Sequence, residues 1–297
     1  MKKKRYFSRG VMFVLCLVFA VAFLLPTVLT ITNSFMSEAE IKANYGMIFS
    51  TTSGGYVSKT VNLKFIPDKV TLSQYITGLV KSPDYLLKFW NSIILVVPIV
   101  ILQVAIASVA AYSFTRWRGK IRSGIFFFYV ILMLMPYQVT LVPNYLVSEW
   151  LGILNTRWSI ILPGMFAPFS VFLLTKFMRR IPYSLIEAAK VDGANRWKQM
   201  RYITLPGLLP TFIVLFMLSI SNILNNGMEQ YMVFQNSMNK NTIEVLDLYV
   251  YNITIASKGT ALYSFATAIG ILKTLVSVTL LFSANFLSKK LRGESIV

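Results

Sequence analysis

The chain has 297 residues, of which 56% are apolar, with a mean hydropathy of +0.63 and a net charge of +18. A soluble domain of this size carries far more polar surface. It contains no histidine and a single cysteine, Cys16. That excludes His-based triads, zincin sites, His proton relays, disulfide frameworks and Cys-rich metal centres. No GxxxxGK[ST] phosphate loop occurs, so the chain is not expected to bind and hydrolyse ATP itself.

The apolar residues fall into runs of about 20, the length that crosses a bilayer core as a helix. They do not alternate in the segments of roughly 10 that build a transmembrane barrel. The expected class is therefore an all-α integral membrane protein with about six transmembrane helices. The first run, residues 11–31, follows the basic MKKKRYFSR. A signal peptide would have a shorter apolar region and a small-residue cleavage site, so a retained helix is expected, bent near Pro26. A polar stretch, 32–88, is long for a loop and is expected to be partly ordered. The second span is placed at 89–115. The third is placed at 124–147, with Pro136 and Pro143 inside it. The fourth is placed at 158–178. The fifth, 206–224, is opened by Pro206, a residue suited to a first helical turn. The sixth is placed at 263–287, after a polar segment at 225–262. The corresponding division is 1–87 for the first span and long loop, 88–290 for the domain holding the remaining spans and 291–297 for a tail.

Lysine and arginine placement gives the orientation. With the N-terminus cytoplasmic, the inner segments hold 19 basic residues against three acids, Glu187, Asp192 and Glu294. The outer segments hold nine basic and eight acidic residues. All four inner segments agree, so the charge reads as a topology signal and an attraction to anionic headgroups rather than to nucleic acid.

The most informative segment is RRIPYSLIEAAKVDGANRWKQMRYITLPGLLP, 179–210, between spans four and five. It reads as a helix–turn–helix at the membrane surface. Pro182 and Ser184 suit a helix start, and Asp192-Gly193 suits a turn. A second short helix is expected at about 194–202. Small Ala188, Ala189 and Gly193 permit close approach by another backbone. From the residues alone, an amphipathic loop that stabilises the bundle remains equally open.

The order Glu187-Ala188-Ala189, Gly193, Ile203-x-Leu205-Pro206 resembles the EAA loop of binding-protein-dependent ABC importer permeases, matching every named position of that pattern. The resemblance implies a type I importer fold and a loop that docks in a cleft of a separate ATPase. Glu187, Ala188, Ala189, Asp192 and Gly193 would form the docking core, while Leu205 and Pro206 would turn the chain back into the membrane. It implies a second permease, two ATPases that hold the ATP and Mg, and an extracytoplasmic solute-binding protein. No cofactor or catalytic residue is implied in this chain. The site would be the bacterial cytoplasmic membrane, with both termini inside. The long first outer loop and the ending LSKKLRGE resemble the carbohydrate branch, with its second-permease type. The last 35 residues are most similar to permeases of complex or acidic oligosaccharides.

Three further groups are candidates for substrate contact. Lys273 is the ionisable residue deepest in a span, where charge normally faces protein or a water-filled cavity. Gln103 and Asn222 are weaker pathway candidates, since polar residues often join helices instead. Tyr231, Phe234, Tyr249 and Tyr251 could meet sugar or a binding protein, or could anchor at the interface. Two rival readings are an ion-coupled secondary transporter, which would carry inverted repeats, and a membrane enzyme acting on lipid or glycan.

Overall fold

A computed structural model describes residues 2–49, 62–117, 119–257 and 261–292, and every regular element among them is helical. Helix α1 spans Lys2–Asn33 and runs through Pro26 without a break. The polar stretch that follows is partly ordered, as expected. It holds α2, Glu38–Phe49, and a short α3, Ser73–Ile76, extended by one π-helical turn at Thr77–Lys81. Helix α4, Pro83–Arg116, opens on a proline at its first position, where the missing N–H has no partner to lose. Its 34 residues make it about 50 Å long, well beyond a bilayer core.

The third span differs from expectation. It is a bent pair, α5 (Lys120–Leu134) and α6 (Tyr137–Trp150), whose axes meet at 106°. Pro136 is the cause. It disfavours helical angles in the residue before it, and Met135 is extended at φ −71°, ψ 131°. Pro143 sits inside α6 without ending it. The fourth span is made of α7 (Trp158–Gly164) and α8 (Pro168–Met178), with Pro168 opening α8 after an extended Ala167.

After α9 (Tyr183–Val191) and α10 (Arg196–Gln199) a second correction appears. Pro206 sits in the first turn of α11, Leu205–Ser221, as expected, but the continuous rod begins earlier, at Arg196. A π-helical turn at Met200–Thr204 leads straight from α10 into α11, so one helical rod runs over Arg196–Ser221. The Leu205 N–H reaches back five residues to the Met200 carbonyl. The wider turn sits directly before Pro206, whose ring would crowd the carbonyl four residues back in an unbroken α-helix. Short helices α12 (Glu229–Phe234), α13 (Lys240–Ile243) and α14 (Leu246–Ile253) follow, then α15, Tyr263–Arg292. The described residues thus hold five helices able to cross a membrane, or six spans with the bent pair counted as one.

The chain divides into two compact units, Met1–Leu86 with Val250–Leu275, and Leu87–Tyr249 with Val276–Val297. The core of the second unit joins α4, α8 and α11. Ala107, Ala111 and Phe114 meet Val171, Leu174, Met178, Leu208 and Leu215, all buried. Ala107 and Ala111, one turn apart, let the helices approach closely, the usual device where lipid supplies no hydrophobic drive. The Phe114 ring packs edge-on against Phe126 and Tyr129 of α5, at 5.5 and 5.6 Å.

In the first unit the buried Met36, Ile41 and Tyr45 form a small core with Tyr263. A polar knot sits beside it. The Gln74 amide donates to the Met36 carbonyl and the Ser264 hydroxyl (2.6 Å), and its oxygen accepts from the Thr71 hydroxyl (3.0 Å). The Glu38 carboxylate accepts the N–H groups of Tyr263 (2.9 Å) and Ser264 (2.8 Å). These donors lie in the first turn of α15, where the helix supplies no partner, and a negative charge there also meets the helix dipole. Glu38→Ala should therefore cost about 1–2 kcal/mol, read as a lower melting temperature of the detergent-solubilised protein. An unchanged melting temperature would show that water replaces this cap without loss.

Candidate functional site

The surface loop is built by strong local geometry. Helix α9 begins after Pro182 and ends at Asp192. Gly193 then adopts φ 77°, in the left-handed region where glycine carries no Cβ penalty. Its N–H bonds the Lys190 carbonyl at 3.1 Å, and the Ala194 N–H reaches back to Ala189 at 2.8 Å. That pairing is a Schellman C-cap. Asn195 then caps α10, its side chain accepting the Lys198 N–H at 2.9 Å. Gln199 closes the turn by donating to the Ala194 carbonyl at 2.7 Å.

Two buried side chains, Ile186 and Gln199, anchor this knob. The rest faces outward. Glu187, Ala188, Asp192, Gly193, Leu205 and Pro206 are exposed, and Ala189 is half-buried. Val191 is 88% exposed and Trp197 is 64% exposed. A displayed ridge of small and apolar residues beside two carboxylates, Glu187 and Asp192, has the character of an interaction surface.

Each pathway candidate has its own local setting. Gln103 on α4 donates to Ser170 on α8 at 2.6 Å, so it joins two helices. Asn222 lies past the end of α11 and donates locally to the Leu218 carbonyl and the Ser221 hydroxyl. Lys273 is half-buried on α15. The aromatic candidates differ in burial. Tyr231 and Phe234 are 3% and 1% exposed, which corrects the expectation of an open sugar-contact surface at these two positions. Phe234 packs edge-on against Tyr145 at 5.6 Å. Tyr231 accepts a 3.3 Å hydrogen bond from Asn226, and burial pushes its phenol up to about 12. Tyr249 and Tyr251 are half-buried on α14.

What the sequence did not single out is an ion pair. Lys88 Nζ lies 3.0 Å from Glu244 Oε2, with the side chains 3% and 2% exposed. Around it, Asn91 of α4 donates to the carbonyls of Asn241 (2.8 Å) and Glu244 (3.2 Å), and the Ser92 hydroxyl accepts the Leu246 N–H (3.3 Å). Asn239, fully buried, donates to the carbonyls of Phe234 and Leu154. The contacts of Lys88, Asn91 and Ser92 clamp the segment after α11 onto the start of α4. The available signal was Glu244 set between Ile243 and Val245, an acid inside an apolar run.

The sequence profile of the binding-protein-dependent transport system inner membrane components matches residues 71–293. The chain belongs to this family. Among curated relatives of this inner membrane component, the lactose transport system permease protein LacG of Rhizobium radiobacter is 30% identical over 48% of this chain and 53% of its own. The polygalacturonan/rhamnogalacturonan transport system permease protein YteP of Bacillus subtilis (strain 168) is 34% identical over 52% and 46%. The match thus spans about half the length of each curated relative. A crystal structure of a bacterial ABC transporter involved in the import of the acidic polysaccharide alginate superposes over 97% of both chains, with a TM-score of 0.72 and 19% identity. The fold is that of a type I ABC importer permease.

In this inner membrane component the Lys88–Glu244 clamp yields a double-mutant prediction. Lys88→Met alone should destabilise by about 3–5 kcal/mol, because it strands a buried carboxylate. Lys88→Met with Glu244→Gln should recover most of that loss in the same melting assay. A double variant no more stable than the single one would show that the pair acts through shape rather than charge.

Proposed function

We propose that this protein is the permease subunit of an ATP-binding-cassette importer for carbohydrates, with oligosaccharides, acidic ones included, as substrates. The observation that carries the reading is the displayed helix–turn–helix with Glu187, Ala188 and Ala189 on α9 and the Schellman turn at Gly193. It lies among seven of the 29 basic residues, consistent with a cytoplasmic position and cytoplasmic termini. A stiff knob of this kind suits a cleft on a partner ATPase. Closure of two such ATPases would draw two knobs together and tilt the attached helices, a rigid-body transition between inward- and outward-facing states. The α10–π–α11 rod supports this, since a push on α10 passes into the span without a flexible joint.

The remaining parts of the assembly would be a second permease, two ATPases and an external solute-binding protein. Carbohydrate is supported by the lactose and polygalacturonan/rhamnogalacturonan relatives, and an acidic substrate by the second of these. Lys273 would then attract carboxylates of the substrate within the path.

The test is ATPase and uptake activity of the complex, co-expressed with its neighbouring permease and ATPase and reconstituted in lipid discs with binding protein. Glu187→Ala should uncouple hydrolysis from uptake or release the ATPase. If no ATPase associates with the wild-type protein and Glu187→Ala changes nothing, the importer reading fails and a secondary transporter or membrane enzyme becomes the better account. Lys273→Gln should lower uptake of an acidic oligosaccharide roughly tenfold, as for loss of one charge contact of about 1.4 kcal/mol, and leave a neutral one nearly unchanged. Equal losses on both sugars would remove Lys273 from substrate selection.

A further inference from the structure

Two cavities in the second compact unit share one lining residue, Tyr112. The first is an apolar groove of about 790 Å³ between α4 and the π turn with α11. It runs along α4 from Val100 to Tyr112, a rise of about 18 Å. No charged side chain lines it. Two of its hydroxyls bond backbone: Ser108 donates to the Val104 carbonyl at 2.6 Å, and Thr204 donates to the Gln199 carbonyl at 3.5 Å. The second is a polar cavity of about 580 Å³, lined by Arg116, Lys190 and Arg196 together with Tyr183 and Gln199. No carboxylate lines it, and among the described residues none of the three cations makes an ion pair.

The aromatic rings hold two of these cations near each other. The Arg116 guanidinium lies 5.5 Å from the Tyr112 ring centroid and 6.0 Å from that of Tyr183, and Lys190 Nζ lies 5.8 Å from Tyr183. Three positive charges sharing one cavity repel each other and favour an anion between them. A basic pocket between membrane helices is the kind of site that takes a lipid headgroup.

We propose that the pair of cavities binds one anionic phospholipid. Its phosphate sits among Arg116, Lys190 and Arg196, and an acyl chain lies in the groove between α4 and α11. The dimensions agree, because one leaflet contributes about 15 Å of hydrocarbon, half of a core of about 30 Å. A second protein helix in the groove would satisfy the apolar wall and leave the basic end without a counter-ion. A free phosphate would satisfy the basic end and leave the groove unfilled. The lipid satisfies both and ties α9 and α10 to the end of α4. The inference needs the loop to lie at the membrane surface. It does not need an ATPase partner, so its failure leaves the importer reading intact.

The experiment counts lipids retained by the full-length protein, purified in mild detergent and mixed with phosphatidylglycerol and phosphatidylcholine, by native mass spectrometry. The wild-type protein should retain phosphatidylglycerol with at least roughly tenfold preference, since three basic residues near a membrane surface supply ample attraction. Lys190→Gln with Arg196→Gln, both at exposed positions, should reduce that preference to about twofold. Ala105→Trp, which fills the groove and leaves the charges in place, should release the lipid as well. Equal retention of the two lipids overturns the proposal, as does full retention in the charge variant. Loss on charge removal without loss on groove filling, together with binding of inorganic phosphate alone, assigns the cavity to a free anion and overturns the lipid. A cross-link from position 105 to a second permease, undiminished by added lipid, assigns the groove to protein and overturns it likewise.

Discussion

Every backbone N–H and C=O that enters hydrocarbon must find a partner within the protein, and this one constraint shapes most of the structure. It explains why the apolar stretches are helical, and it gives each proline a particular consequence. Pro136 forces the residue before it out of the helix, and the chain turns through 106°. Pro168 and Pro83 open helices, where a missing donor costs nothing. Pro206 falls where a rod is maintained, and the backbone widens by one residue per turn to let Leu205 bond Met200. The same residue, proline, gives a bend, a start or a π turn according to what precedes it.

Outside the hydrocarbon, order is maintained by polar side chains turned against backbone ends. In one unit Glu38 and Gln74 close the start of α15. In the other, Lys88, Asn91 and Ser92, three neighbours on the first turns of α4, hold the backbone of 241–246. Neither device adds hydrophobic area. Each replaces water around donors and acceptors that irregular chain would otherwise leave unpaired. This is why segments without long helices still bury Phe234, Ile243, Leu246 and Leu248 almost completely.

The spans were legible because apolar runs of about 20 residues and asymmetric lysine and arginine placement are strong, additive signals. The surface loop was legible because Asp192-Gly193 is a turn signal of known stereochemistry, and the structure gives Gly193 the expected left-handed backbone. The failures have a common cause. Pro136 and Pro206 were weighed by position within an apolar run, whereas their effect depends on whether the preceding turn can rearrange. The aromatic residues of 225–262 were weighed by chemistry, yet Tyr231 and Phe234 pack inward, since short helices bury aromatics on one face. Lys88 and Glu244 are 156 positions apart, and nothing local to either discloses the other.

The clustering of positive charge in the segments between the long helices has more than one physical outcome. During insertion it fixes orientation. In the folded protein the same residues are crowded, and crowding must be relieved. Arg122 does so on the carbonyls of Phe114 and Trp117 at the end of α4, where the helix dipole is negative. Arg179 and Arg180 do so against the rings of Phe126 and Phe177, at 5.1 and 4.9 Å. Arg116 and Lys190 use Tyr183 in the same way, but a ring neutralises no charge, and Arg196 adds a third cation to the same cavity. The unrelieved charge is thus concentrated beside the loop whose stiffness the proposed coupling requires. An anion held there would complete the electrostatics and brace the loop in a single contact.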